Sequence, residues 1–131
     1  MKEIIIENKP TTKYETIDGK TFDRKDCAEI HEKYLELNKQ AKSIKYIDGA
    51  YYCKTQEDFN TIVDMKAYCN PYYSFKDNIY KPHYNYSKTD FKGEDWYFFE
   101  WRYQDDAADD YWVETLSQKK TEWENFYNQF K

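Results

Sequence analysis

Three groups of residues in this chain have the types and spacing to do chemistry. Cys27 and His31 lie four apart, a separation that brings two side chains to one face of a helix, where they can ligate one metal ion or act as nucleophile and base. A closed site needs a second pair, and Cys53, Cys69 and His83 stand on separate stretches. The plainer reading is a set of half-buried side chains, so neither a metal nor a cofactor is expected. The second group is Asp105, Asp106, Asp109 and Asp110, two on each side of Ala107-Ala108. Paired carboxylates work as acid and base where their surroundings split their pKa values. A solvated turn does not do this, which leaves a charged surface serving solubility or recognition. In the third group, Tyr72, Tyr73, Phe75, Tyr80, Tyr84 and Tyr86 offer rings for stacking a nucleobase, with Lys76, Lys81, His83 and Lys88 near enough in sequence to hold phosphate. The plainer reading there is rings fastening a long connection to the body of the protein.

No Walker loop, GxGxxG, HExxH or GxSxG motif occurs, so the expectation is a protein that binds rather than catalyses. The 131 residues suit one domain with one core. That core must be built largely from rings: there are 15 Tyr, 8 Phe and 4 Trp, while leucine occurs only at Leu35, Leu37 and Leu116. Three cysteines without CxxC spacing suit reduced thiols. No apolar run approaches the roughly 20 residues of a membrane span, so a soluble, cytoplasmic protein is expected, without membrane contact. The acidity is concentrated in one stretch: between Asp90 and Glu114 nine carboxylates stand against Lys92 and Arg102, a balance of −7 in a chain of net charge −5. Such a balance disfavours direct nucleic-acid binding and favours a basic partner.

The elements that must position these groups read as α+β: a small antiparallel sheet with about three helices, in the order of two successive ββα units, a β-hairpin and a C-terminal helix. Ile4 to Ile6 and Thr12 to Ile17 read as strands, and Asp18-Gly19 signals a type I′ hairpin turn into Thr21-Phe22. Asp23 is the expected cap of a helix to about Ala41, with Cys27, Ile30, His31, Tyr34, Leu37, Asn38 and Ala41 on a stripe facing a sheet. These residues form a first unit over 1–42. A second unit, over 43–68, repeats the order with Asp48-Gly49, the strand Ala50 to Cys53, and a helix opened by Thr55 and Asp58 that carries Phe59, Ile62, Val63 and Lys66. Residues 69–94 read as an aromatic-anchored connection with one short strand near Tyr84 to Tyr86. In 95–131, Asp95 to Tyr103 is apolar on both faces, which suggests an interior strand. An acidic turn over Gln104 to Asp110, a partner strand over Tyr111 to Leu116, and a helix capped by Ser117 with Trp123, Phe126, Tyr127 and Phe130 on one stripe complete the chain.

The segment Lys13 to Tyr34, KYETIDGKTFDRKDCAEIHEKY, with its strand, Asp-Gly turn, Phe-Asp pair and cysteine-bearing helix, resembles the N-termini of small accessory proteins of Firmicutes phages, anti-defence and anti-CRISPR inhibitors among them. The resemblance implies context, a protein acting in the host cytoplasm, and transfers no binding residue.

Together these readings lead to an expectation of a non-enzymatic inhibitor. Its DNA-like acidic surface would dock on the basic, nucleic-acid-binding groove of a host defence protein, a CRISPR effector nuclease being the type considered. Asp105, Asp106, Asp109 and Asp110 would supply charge and association rate, and Trp101, Tyr103, Tyr111 and Trp112 the anchoring rings. Two alternatives remain open: a nucleotide-signal sponge with a pocket between the Tyr-rich connection and the sheet, and a structural phage protein that oligomerises through its aromatics.

Overall fold

The computed structural model describes residues 1–6, 11–104 and 109–131. It is α+β, as the sequence pattern predicts, with two hairpins each followed by a helix. Strand β1 (Lys2–Ile6) pairs antiparallel with β2 (Thr11–Glu15), and β2 with the two-residue β3 (Thr21–Phe22). The turn between β2 and β3 is not the expected type I′. Gly19 N donates to Thr16 O (2.9 Å), Thr16 N donates to Lys20 O (2.8 Å), and only Gly19 takes positive φ (+86°). This is a type I turn closed by a left-handed glycine. Asp18 stays outside the left-handed region, and its carboxylate is engaged by Thr16 and His31. The type I′ geometry appears at the second Asp-Gly, where Asp48 (φ 48°) and Gly49 (φ 88°) join β4 (Tyr46–Ile47) to β5 (Ala50–Cys53).

Helix α1 (Lys25–Ala41) follows the first hairpin, but Asp23 does not cap it. Arg24 occupies the cap position without a side-chain cap bond, and Asp23 pairs with Lys13 on β2. Asp26 in the first turn serves instead as a clasp. It accepts from Arg24 (2.9 Å) and from the backbone N of Tyr80 (2.8 Å), tying α1 to a strand more than 50 positions away. Ala28, Ile30, Leu37 and Ala41 are the buried positions, so α1 inserts its stripe against α2 and the flanking hairpins rather than against a sheet alone. Helix α2 (Gln56–Tyr68) begins as its sequence predicts: Thr55 accepts from Asp58 N (3.2 Å), and Asp58 accepts from Lys54 N (3.0 Å).

The connection from Cys69 differs from expectation. There is no strand at Tyr84 to Tyr86; a hairpin stands earlier, β6 (Tyr72–Ser74) with β7 (Ile79–Lys81). Asn78 takes the left-handed position of its turn (φ 56°), and Asn78 N donates to Ser74 O (2.7 Å). Side chains anchor the remainder, as expected of a connection this long. Tyr84 donates to Asp64 (2.6 Å), Tyr86 donates to Glu100 O (2.9 Å), and a 3-10 turn occupies Lys88–Asp90.

Strand β8 (Asp95–Arg102) is interior, as its two apolar faces predict. The sheet order is β4-β5-β8-β9, with β9 at Asp110–Thr115. The two ββα units therefore contribute to different sheets, the first to β1-β2-β3 and the second to this four-stranded one. One face of β8 carries Tyr97 and Phe99 onto α2. Phe59 lies against Tyr97 (4.9 Å between ring centroids), Phe99 (5.4 Å) and Phe91 (5.6 Å), with Ile62, Val63 and Cys53 fully buried around it. Tyr97 is itself fully buried, and its hydroxyl donates to Gly93 O (2.6 Å) while accepting from Lys92 N (2.7 Å), so the core holds no stranded phenol. Helix α3 (Leu116–Asn128) is capped by Thr115, not Ser117, with Gln118 completing a reciprocal capping box.

Candidate functional site

The described residues among those expected to form a working surface gather at the far end of the β8–β9 pair, where register sorts them. Trp101 lies directly opposite Tyr111, Arg102 opposite Asp110, and Glu100 opposite Trp112. Successive side chains on a strand point to opposite faces. Trp101 and Tyr111 therefore share the face of Tyr97 and Phe99, whereas Arg102, Asp110 and Trp112 belong to the face that α3 meets. The proposed anchors are thus divided between two sides of the sheet. They also differ in freedom: Trp101 is 54% exposed and Tyr103 64% exposed, while Tyr111 is half-buried with its ring edge-on to Tyr86 (5.6 Å).

The carboxylates divide as well. Asp110 accepts from Arg102 (3.0 Å) and from Gln104, so its charge is largely answered within the chain. Asp105 and Asp106 lie outside the described residues, and Asp109 is half-buried with no ion pair among the described residues. On the α3 face, Lys119 lies within ion-pair distance of both Glu100 (2.9 Å) and Glu114 (3.1 Å), its ammonium 4.8 Å from the centre of the Phe98 ring. The Lys119 hydrogen bond holds Glu114 below the usual glutamate range, and the two carboxylates raise Lys119. Sequence reasoning gave Lys119 no role; its sign among so many carboxylates was the available signal.

Neither a protein-family model, nor a curated protein, nor a solved structure matches this chain.

Cys27 and His31 do share a helix face but do not form a reactive pair. His31 Nε2 is 2.8 Å from Asp18 Oδ2, and the ring sits between Phe22 (5.3 Å) and Tyr34 (6.4 Å). Hydrogen bonds from Thr16 and His31 lower Asp18 to about 2. Burial pushes the Cys27 thiol up, the opposite of what a nucleophilic thiolate requires. Among the described residues, no three His, Cys, Asp or Glu side chains come together as a metal site. Nor is any described helix long and apolar enough to cross a membrane.

The Tyr-rich connection spends its rings on structure. Tyr73 and Tyr80 pack together (5.1 Å) with the Arg24 guanidinium 5.5 Å from each, and Tyr84 and Tyr86 are tied down by the hydroxyl bonds described above. Phe75 at the hairpin tip lies edge-on to Tyr73 (4.9 Å) and is almost fully exposed, and Tyr72, 5.3 Å from the His83 ring, is also exposed. A groove of about 580 Å³ opens elsewhere, bordered by the end of α1 and the β4–β5 hairpin with Lys42, Lys45, Tyr46 and Tyr51. Beside it, Lys66 lies over the rings of Tyr51 (5.6 Å) and Phe99 (5.4 Å), and burial lowers its pKa.

Proposed function

We propose that this chain is a non-catalytic binding protein that docks the end of its β8–β9 pair on a basic groove of a partner, of the kind a nucleic-acid-handling defence nuclease presents. The observation that carries the reading is the change of character along one strand. β8 carries a fully buried Tyr97 near its start and, near its end, Trp101 more than half exposed, followed by the exposed Tyr103 and by an acidic stretch. Exposed large rings beside a run of carboxylates in the sequence are the composition of an interface centre with an electrostatic rim. In this reading Trp101 and Tyr103 anchor, Asp105, Asp106 and Asp109 attract, and Asp110 fixes Arg102 at the strand end. Trp112, on the opposite face, stands apart from that contact.

The test is a binding measurement against a panel of purified CRISPR effector nucleases, using two variants checked for unchanged circular dichroism. Trp101→Ala with Tyr103→Ala should lower affinity by about a hundredfold, the loss expected of two aromatic hot spots. Lysine at 105, 106 and 109, with Asp110 kept, should abolish binding at low salt, and wild-type binding should weaken as salt screens the attraction. Full binding by either folded variant overturns the assignment.

A further inference from the structure

Helix α3 leaves the body of the protein after one turn. Leu116, Gln118 and Lys119 are half-buried against the outer face of the four-stranded sheet, whereas every residue from Lys120 to Lys131 is exposed. The same helix side that begins with Leu116 and Lys119 continues as Trp123 (65% exposed), Phe126 (52%), Tyr127 (57%) and Phe130 (74%). These rings are ordered into a stack with no cover: Trp123 and Phe126 lie nearly parallel at 6.0 Å, and Phe126 meets Phe130 edge-on at 5.2 Å. A helix in water has no need of such a stripe. At roughly 150–250 Å² per ring, the four expose on the order of 500 Å² in one contiguous patch, the size of the largest patch on a typical monomer, which is often functional.

We propose that this face is covered by the same face of a second copy, through antiparallel α3 helices related by a two-fold axis passing between residues 126 and 127. The axis makes the patch self-complementary, as a symmetric dimer requires. It sets Trp123 beside the partner's Phe130 and Phe126 beside the partner's Tyr127, so each ring meets a ring. It also matches charge. In an antiparallel pair each flank of the stripe meets the same flank of the other copy; Glu124 lies on the flank bordered by Tyr127, 100° from Trp123 by the roughly 100° turn per residue, and Lys131, in the tightened turn that follows α3, reaches towards that same flank. The axis sets Lys131 two sequence positions from the point opposite the partner's Glu124, within reach of a lysine side chain, and does so twice. The Lys131 ammonium already leans over the Tyr127 ring at 5.7 Å, at the border of the stripe. Covering both patches removes on the order of 1,000 Å² from water, about the threshold for a specific interface and consistent with a micromolar dimer. This surface is separate from the end of β8–β9, so self-association and partner binding can be tested independently.

The experiment is sedimentation equilibrium of the full chain over about 1 to 200 µM, a range that brackets a micromolar constant, with circular dichroism and thermal melts as controls. The wild type should dimerise, and Phe126→Glu should be monomeric throughout with unchanged helix content. Glu124→Lys and Lys131→Glu should each weaken the dimer about tenfold, and the double exchange should restore it. A wild type that stays monomeric overturns the proposal, even if it binds lipid vesicles through α3. So does a dimer indifferent to Phe126→Glu, which would place the contact elsewhere, or a double exchange that fails to rescue, which would exclude the antiparallel register.

Discussion

Helices α2 and α3 are the same length, 13 residues, and each opens on a threonine that accepts a hydrogen bond from the third residue beyond it. Each carries an apolar stripe at helical spacing. Yet α2 buries Phe59, Ile62, Val63 and Ala67, while α3 has no buried residue. What separates them lies outside either helix. The α2 stripe has one ring among aliphatics, and it faces Tyr97, Phe99 and Phe91, which leave room for a ring. The α3 stripe has four rings, and only its first turn has sheet beneath it. Caps and periodicity determine that a helix forms; the extent of the opposing surface determines whether its stripe becomes core.

The largest difference between the two helices should appear on truncating one ring in each stripe. Phe59→Ala should destabilise by about 3–5 kcal/mol, the cost of an aromatic cavity in a packed core, whereas Phe126→Ala should change monomer stability by less than about 0.5 kcal/mol. Denaturant unfolding at concentrations too low for association measures both, and equal losses would show that the two stripes are packed alike. Removing either threonine hydroxyl should cost about 1 kcal/mol locally. For Thr55→Ala the loss should appear in global unfolding, because α2 is core; for Thr115→Ala it should appear mainly as faster amide exchange along α3.

The smallest effect concerns how α3 is rooted. Glu114 is held below its ordinary 4.5 chiefly by Lys119, so its contribution is present above that value and lost as pH falls through the depressed one. Lys119 is raised above 10.5 by Glu100 and Glu114, so its contribution is present below 10.5 and lost above the raised value. Glu122 acts in the opposite sense: its hydrogen bond to Glu114 raises it above 4.5, favouring the protonated form as acid is added. The root should therefore hold from about 4.5 to 10.5 and loosen below, with α2 unaffected. Amide chemical shifts of Leu116 to Lys120 followed from pH 7 to 3 should move before those of α2; simultaneous movement would show the two helices to be one cooperative unit.

Much of the fold was legible because its signals are local. Asp48-Gly49 dictates its turn by backbone sterics, Thr55 and Asp58 dictate a helix start, and alternation on both faces marks β8 as interior. What the sequence does not show is tertiary or rests on chemistry with several local solutions. The β6–β7 hairpin turns on Asn78 without a glycine, within a stretch whose rings mask period. Asp18 was engaged by Thr16 and His31, and Asp23 by Lys13, before either served the role its type suggests. Ser117 lost the cap to Thr115, which had Gln118 three residues on. At the candidate site, the exposure of Trp101 and Tyr103 was not readable from type, since the same strand sends Tyr97 fully inside. The separation of Tyr111 from Trp112 was readable, because neighbours on a strand cannot share a face.

The order β4-β5-β8-β9 has a kinetic meaning. Most strand pairs here join neighbours in sequence, but β5 meets β8 across a long interval: Tyr52 lies opposite Trp96. Closing a loop of that size costs chain entropy before the ladder returns any stabilisation. Hairpins and helices can form on microsecond scales, while the β5–β8 ladder waits for α2 and the aromatic connection to bring its strands together. That ladder is thus the natural bottleneck of folding, and until it closes, the rings of β8 that later form the core remain open to water and to other chains.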